Sequence, residues 1–242
     1  MEKLFRVLPV LVWVALVVAW TFPALALGVR FELWGIQLAL PLLAGAALTA
    51  ALLLALAGVA LLAAIHRHLQ VARHRAILVI VILIVPVATV FHYGLKASQA
   101  PVLYDVSTGW ANPPAIAALS GVRPEDANPL QTATTNRAVQ SEHYPDIQTL
   151  VLPLPVGEAL GRVQQVAIDL GWEIQAVDAA SGVVEATDTT FWFGFVDDIA
   201  IRVGAASEQG ATVDIRSVSR VGKSDLGKNA QRIRTFLSAL QS

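Results

Sequence analysis

The sequence predicts a membrane-anchored α+β protein: three transmembrane helices, then an antiparallel sheet of four to five strands covered on one face by two helices, in the order β-α-β-β-β-β-α. Three observations predict it. Three long uncharged apolar runs fill residues 1–96, the charge balance reverses sign beyond them, and the hydrophobic period changes from helical to two past Gly171. Of the 242 residues 55% are hydrophobic and 14% charged, outside the balance of an ordinary soluble domain, and the excess lies in the first 96. Up to Lys96, seven Lys/Arg oppose only Glu2 and Glu32; from Ser98 onward, ten oppose sixteen Asp/Glu.

Each run is long enough to cross a bilayer, which takes about 20 apolar residues. The first comprises the 23 residues between Arg6 and Arg30 that carry no formal charge. A cleaved signal peptide has a shorter apolar region and a small-residue cleavage site followed by polar sequence, so this run reads as a retained span. Between Glu32 and His66 stand 33 uncharged residues, too many for one perpendicular crossing. The second span is therefore placed from Pro41 to Ile65, proline being tolerated in a first helical turn, with 33–40 along the interface and Trp34 at headgroup level. The third runs from Ala76 to about Leu95, bent at Pro86. No Asp, Glu, Lys or Arg lies inside a span, which argues against an ion path or proton relay. Gly45 with Thr49, and Ala47 with Ala51 and Ala55, give the second span small-residue spacing suited to packing within the chain.

Arg67, Arg73 and Arg75 sit between spans two and three, whereas Arg30 is offset by Glu32 between spans one and two. Positive loops stay inside, so the amino terminus is expected in the cytoplasm and everything after Lys96 beyond a bacterial inner membrane. The absence of cysteine is compatible with an exported domain without disulfides. His66 and His68 are two residues apart, on different helix faces with no carboxylate beside them, so with His74 they belong to the basic loop and no metal site is expected. His92 falls near the outer end of the third span.

The region beyond the spans divides into an extended tether and irregular segment, 97–136, rich in Pro, Ser and Asn, and an extracytoplasmic α+β domain, 137–242. "IQTLVLPL" predicts a strand. Pro155 to Leu170 predicts a helix with Leu160, Val163, Ala167 and Leu170 on one stripe, stopped by Gly171. Trp172, Ile174 and Ala176 then alternate with Glu173 and Gln175, and Val184 and Ala186 with Glu185 and Thr187. Ile199, Ile201 and Val203 alternate with Asp198 and Arg202, and, after the turn "AASEQG", Val213 and Ile215 with Asp214 and Arg216. Each strand thus buries its apolar set and exposes its polar one, with Arg202 opposite Asp214. A last helix from about Asp225 to Leu240 carries Leu226, Ala230, Ile233, Leu237 and Leu240 at helical spacing. "FWFGF" is a candidate for one further short strand.

The succession "SEHYPDIQTL", "GW", "VEATDTTFWFGFVDDIAIRV" and "VDIRSVSRVGKSDLGKNAQRIRTFL" resembles the bacterial family known as domain of unknown function 1499, some members of which carry similar leading spans. The likeness covers roughly Val102 to Leu240. "YDVSTGWANPP" is similar to the family's Ile-His-Asp-Ile-Ser-Thr-Asp stretch and departs from it at Tyr104 and Gly109. The resemblance implies kinship and brings no activity, substrate or cofactor with it.

Gly222-Lys223-Ser224 ends like a nucleotide phosphate loop, but Ser217, inside a strand, occupies the place of the required first glycine, so neither nucleotide nor cofactor is expected. Two readings of the stretch remain. In the structural one, Gly222 turns the chain and Ser224 or Asp225 caps the last helix. In the functional one, Arg220, Lys223, Ser224, Asn229 and Arg232 gather an anion at the helix start. Asp197 and Asp198 must point to opposite sheet faces and are expected to pair with Arg202 or Arg216. His143, beside Glu142 and Asp146, has no nucleophile-elbow serine near it. In "FWFGF", alternation cannot bury Phe191, Trp192 and Phe193 together, so Trp192 is a candidate contact for a ligand or for lipid.

These observations predict an extracytoplasmic binding or scaffolding domain for an anionic envelope ligand or protein partner, held by the lipid bilayer, with no nucleic acid bound by so acidic a region. The alternatives are a hydrolase with a site near His143 or Asp197/Asp198, and a purely structural subunit of a membrane complex.

Overall fold

The computed structural model describes residues 2–131, 134–206 and 210–242, so the turn expected over 205–210 falls partly outside the described residues. Two compact units result: Met1–Ser98, with which Trp192–Gly194 group, and Gln99–Phe191 together with Phe195–Ser242.

The first unit holds three helices long and apolar enough to cross a membrane. They are α1 (Glu2–Arg30), α2 (Ile36–His66) and α3 (Gln70–Gln99). They pack through small and branched side chains, Ala15 against Ala50, Leu53, Ala57, Val79 and Leu83. Ala50 and Ala57 let the helices approach, as small residues do where lipid supplies no hydrophobic drive between helices. Leu48, Leu52 and Leu62 point outward, as lipid-facing side chains do. Helix α2 begins five residues before Pro41, so 36–40 are helical rather than laid along an interface. The Trp34 Nε1–H donates to the Leu25 carbonyl at 3.1 Å.

The second unit is an open antiparallel sheet with helices. Its elements are β1 (Asp105–Ser107), α4 (Thr134–His143), β2 (Leu150–Leu152), α5 (Val156–Asp169), β3 (Glu173–Asp178), β4 (Val183–Thr189), β5 (Val196–Ala205), β6 (Ala211–Ser219) and α6 (Lys228–Gln241). Strand order is β1-β6-β5-β4-β3, with β2 also pairing β6. The short β1 and β2 share one edge of β6, opposite Arg216–Val218 and Ala211–Val213 respectively. The register places Arg202 opposite Asp214, as the alternation requires.

One sheet face is the hydrophobic core. Val106, Val184, Ala186, Ile199, Ile201, Val203, Val213 and Ile215 meet Leu160, Val163 and Ala167 of α5 and Ile233, Phe236 and Leu240 of α6. Trp172 stacks on Phe236 with ring centroids 5.1 Å apart. Gly182 closes the β3–β4 turn at φ 66, and a Cβ there would fall 2.2 Å from the Val203 carbonyl oxygen.

Three expectations are corrected. Of 97–136, expected as an extended tether and irregular segment, the stretch 103–119 is packed and not extended: Leu103 and Val106 enter the main core, Ile116 and Leu119 pack with Ala200 and Val218, and β1 extends the sheet. The second face is therefore covered, and Glu185, Thr187, Asp198 and Arg216, expected in water, are all buried. "FWFGF" forms the turn between β4 and β5 and not a strand.

Candidate functional site

Strand alternation sends Asp197 and Asp198 to opposite faces, and each gathers its own set of cations. On the helix-covered face, Asp188 of β4, Asp197 of β5 and Ser217 and Ser219 of β6 form a polar end to the apolar core. Helix α6 brings Asn229 and Arg232 to it. Arg232 donates Nε to Asp188 at 3.0 Å, Nη2 to Asp188 at 2.6 Å and Asp197 at 2.5 Å, and Nη1 to Ser217 Oγ at 3.0 Å and Asn229 Oδ1 at 2.5 Å. A guanidinium has five N–H donors, so none remains for a ligand. Asn229 is equally committed. Its Oδ1 accepts from Ser217 and Arg232, and its Nδ2 donates to the Tyr104 carbonyl and to Ser219 Oγ, both at 3.0 Å.

Ser224 and Asp225 act as the structural reading requires. Ser224 Oγ donates to the Pro101 carbonyl at 3.0 Å and accepts from Leu226 N–H. Asp225 accepts from Gly227 N–H at 2.8 Å and Asn229 N–H at 2.6 Å, satisfying donors at the start of α6. Gly222 turns the chain at φ 92. Burial, and secondarily the neighbouring Asp197, raise the Asp225 pKa against those two hydrogen bonds. With the folded pKa above the unfolded one, ionised Asp225 weighs against the fold, and the penalty is relieved as pH falls through the folded value. Asp225→Asn removes this titration. The parent should therefore gain stability relative to the variant between about pH 7 and about pH 4, read by urea unfolding at each pH.

The second face holds a layer of buried charge. Arg216 grips Asp105 through Nε at 3.0 Å and Nη2 at 2.8 Å and donates to the Leu130 carbonyl at 2.6 Å. Asp198 accepts Arg220 Nε and Nη2 at 2.9 and 2.7 Å and also pairs with Arg123 Nη1. Glu185 accepts three consecutive backbone N–H groups, Ala117 and Ala118 at Oε1 and Leu119 at Oε2, all within 2.9 Å. The amide of Asn128 donates to the carbonyls of Ser219 and Gly222. Through these contacts residues 105–130 are bound to the sheet.

The anion pocket expected from sequence is thus not assembled as one site: Arg220 lies on the second face with Asp198, while Asn229 and Arg232 lie on the helix face. Asp197 and Asp198 pair with Arg232, Arg123 and Arg220, and not with Arg202 or Arg216, because Asp214 holds Arg202 at 2.8 Å and Asp105 holds Arg216. Lys223 is exposed, and Trp192, 52% exposed, belongs to the β4–β5 turn. His143 is exposed on α4 with Nδ1 3.0 Å from the Val139 carbonyl oxygen. Its neighbour Asp146 is bound to Arg234, whose hydrogen bonds hold the Asp146 pKa below the usual carboxylate value. Among the described residues no three His, Cys, Asp or Glu are grouped to hold a metal ion. A cleft of about 290 Å³ opens between the end of α5 and α6, lined by Leu170, Trp172, Asp188, Lys228, Gln231, Arg232 and Thr235.

Asp105, Arg123, Glu185 and Arg216 carry this architecture; sequence reasoning gave Asp105 and Arg123 no role, expected Glu185 in water and offered Arg216 to Asp197 or Asp198 in place of Asp105. The signal available was the similarity of "YDVST" to the family stretch, in which Asp105 matches. Gly109, one of the two departures, has a structural reason: a Cβ there would fall 2.8 Å from Asp214 Oδ1. The family model described as protein of unknown function (DUF1499) matches residues 105–240, from the first residue of β1 to Leu240 of α6. No curated protein matches the chain.

Proposed function

The chain belongs to the DUF1499 family, and from that premise we propose that it is a bacterial inner-membrane protein presenting the family domain outside the cytoplasm for binding or scaffolding. The observation that carries this reading is internal neutralisation. Asp105, Asp188, Asp197 and Asp198 each hold an arginine, and the cations nearest a reactive arrangement are committed to them. Groups fixed in this way shape and rigidify a surface; a general acid or base needs a proton it can exchange with substrate. The reading of the membrane side rests on arginine distribution: Arg67 lies between α2 and α3 and Arg73 and Arg75 at the start of α3, and three crossings would deliver the domain to the opposite side. Lys223, exposed, and Arg220, whose side chain keeps 14% exposure, are the contacts this reading offers an anionic envelope ligand or protein partner.

The chain has no cysteine, so single thiols report its topology. Ser181→Cys, in the exposed β3–β4 turn, should react with a membrane-impermeant maleimide on intact cells. His68→Cys, between α2 and α3, should react only after the membrane is opened. The reverse pattern would place the domain in the cytoplasm and reject the proposal.

A further inference from the structure

The chain passes from α2 to α3 in three residues, 67–69. Backbone hydrogen bonds fix this turn. His68 N–H donates to the Ile65 carbonyl at 3.2 Å and Leu69 N–H to the Ala64 carbonyl at 2.9 Å, while His68 itself stands in the left-handed region at φ 57. This pair of bonds closes a helix on a left-handed residue, here a histidine in the place glycine usually takes. Arg73 N–H, donating to the Leu69 carbonyl at 3.0 Å, belongs to the first turn of α3. Beside the turn lies a cavity of about 190 Å³ lined by Ala64, Ile65, His68, Leu69, Gln70 and Arg73. Three of these side chains are aliphatic and three carry hydrogen-bond donors. Sites that enclose a whole small molecule measure roughly 300–1,000 Å³, so this one fits a single polar group of a larger ligand.

The positive charge around the cavity has no counterpart within the chain. No Asp or Glu occurs from 33 to 104, a stretch that holds Arg67, Arg73 and Arg75. Leu8 of α1 clusters with Ala60, Ala64, Ala72 and Ala76, so the start of α1 lies at the same end of the helices and Arg6 brings a further cation there. Glu2 is the one acidic residue before Glu32, and Lys3 follows it directly. Among the described residues the ion pairs all fall within 105–234, and none involves Arg67, Arg73 or Arg75. The arginines of the sheet are answered by buried aspartates; those of the α2–α3 turn require an anion from outside.

The apolar runs of α2 and α3 stop at this turn, where Ile65 and Leu69 are exposed beside charged neighbours. In helices that cross a bilayer such a boundary falls at headgroup depth, and the anion found there is a lipid phosphate. The planar fork of Arg73 matches two phosphate oxygens, and the His68 ring and the Gln70 amide can each donate one bond more. We propose that the α2–α3 turn is a binding site for the phosphate of an anionic phospholipid, with Arg73 as its principal contact and Ile65 and Leu69 against the acyl chain. The inference rests on the reading that the three helices are inserted in a bilayer, and it holds whichever side the family domain occupies.

The test uses the full chain, reconstituted in vesicles of equal parts phosphatidylglycerol and phosphatidylcholine, released in mild detergent and weighed intact by native mass spectrometry. The parent should retain phosphatidylglycerol severalfold over phosphatidylcholine. Arg73→Gln should lower that preference about fivefold, the effect of one basic residue at an anionic surface. Arg75→Gln, which removes a cation outside the lining, should lower it much less. Both side chains are exposed, so the far-UV circular dichroism of the two variants should match the parent. Equal losses in the two variants would reduce the site to a diffuse basic surface and overturn it, as would a parent without preference. Release of the retained lipid by millimolar inorganic phosphate would overturn the lipid as occupant in favour of a free anion. Insertion is read separately, by acyl-chain nitroxide quenching of a fluorophore on Leu48→Cys, on an outward face of α2. Quenching at Leu48 without lipid preference rejects the site and leaves the helices in the bilayer. Absence of quenching there removes the insertion and the site together.

Discussion

Asp198→Ala is expected to lower the stability of the sheet-bearing unit by about 3–5 kcal/mol, the cost of stranding buried charge when one partner of a pair is removed. Asp198 is fully buried and faces two guanidiniums, Arg123 and Arg220, whose side chains are only 6% and 14% exposed. Without the carboxylate both cations stay beneath residues 105–130 with no anion beside them. Arg220→Ala should be milder, about 1.5–3 kcal/mol, because Asp198 keeps Arg123. Urea unfolding of the detergent-solubilised chain, followed by near-UV circular dichroism, reads both. An Asp198→Ala variant as stable as the parent would show that the charged layer does not hold the fold.

Glu185→Ala has the second largest expected effect, about 3 kcal/mol or more, and its cause is different. A single carboxylate satisfies the N–H groups of Ala117, Ala118 and Leu119 at the start of a 3-10 turn, Leu119–Val122. Alanine leaves three donors without their acceptor, that of Leu119 buried and those of Ala117 and Ala118 part-buried, a buried one costing about 1–3 kcal/mol unless the segment lifts to reach solvent. The expected compromise is local: residues 110–131 loosen while the α5–α6 core, which Glu185 does not touch, keeps its packing. The near-UV signal should therefore persist in native buffer even as the unfolding midpoint falls.

The three long apolar helices were legible because length and the absence of charge suffice to mark them. The sheet register was legible because a one-residue slip would send Ile199, Ile201 and Val203 to the wrong face; Arg202 meets Asp214 at 2.8 Å as that logic requires. The second face was not legible. Alternation states that Glu185, Asp198 and Arg216 share a side, and says nothing of whether that side meets water or a distant part of the chain. Their partners, Asp105, Ala117–Leu119 and Arg123, lie in a Pro- and Asn-rich segment with almost no regular structure, which composition alone assigns to a tether. Strand β1 is three residues long, below any periodicity, and its outer edge is covered by a side chain: Gln140 of α4 accepts from Ser107 N–H at 3.0 Å and donates to its carbonyl at 2.8 Å. The residues proposed for an anion site included cations that do matter, Arg220 and Arg232, but in structural roles. The aspartates that occupy them come from strands β4 and β5, far away in sequence, and only the folded register brings them within reach.

The central claim is that the buried polar face binds residues 105–130 into the family domain, and amide hydrogen exchange tests it most directly. In the parent the N–H groups of Ala117, Ala118 and Leu119 should exchange slowly; in Glu185→Ala they should exchange near the unprotected rate while the amides of β5 remain slow. Fast exchange at these three amides in the parent itself would contradict the account, because it would mean that the segment is not held to the sheet.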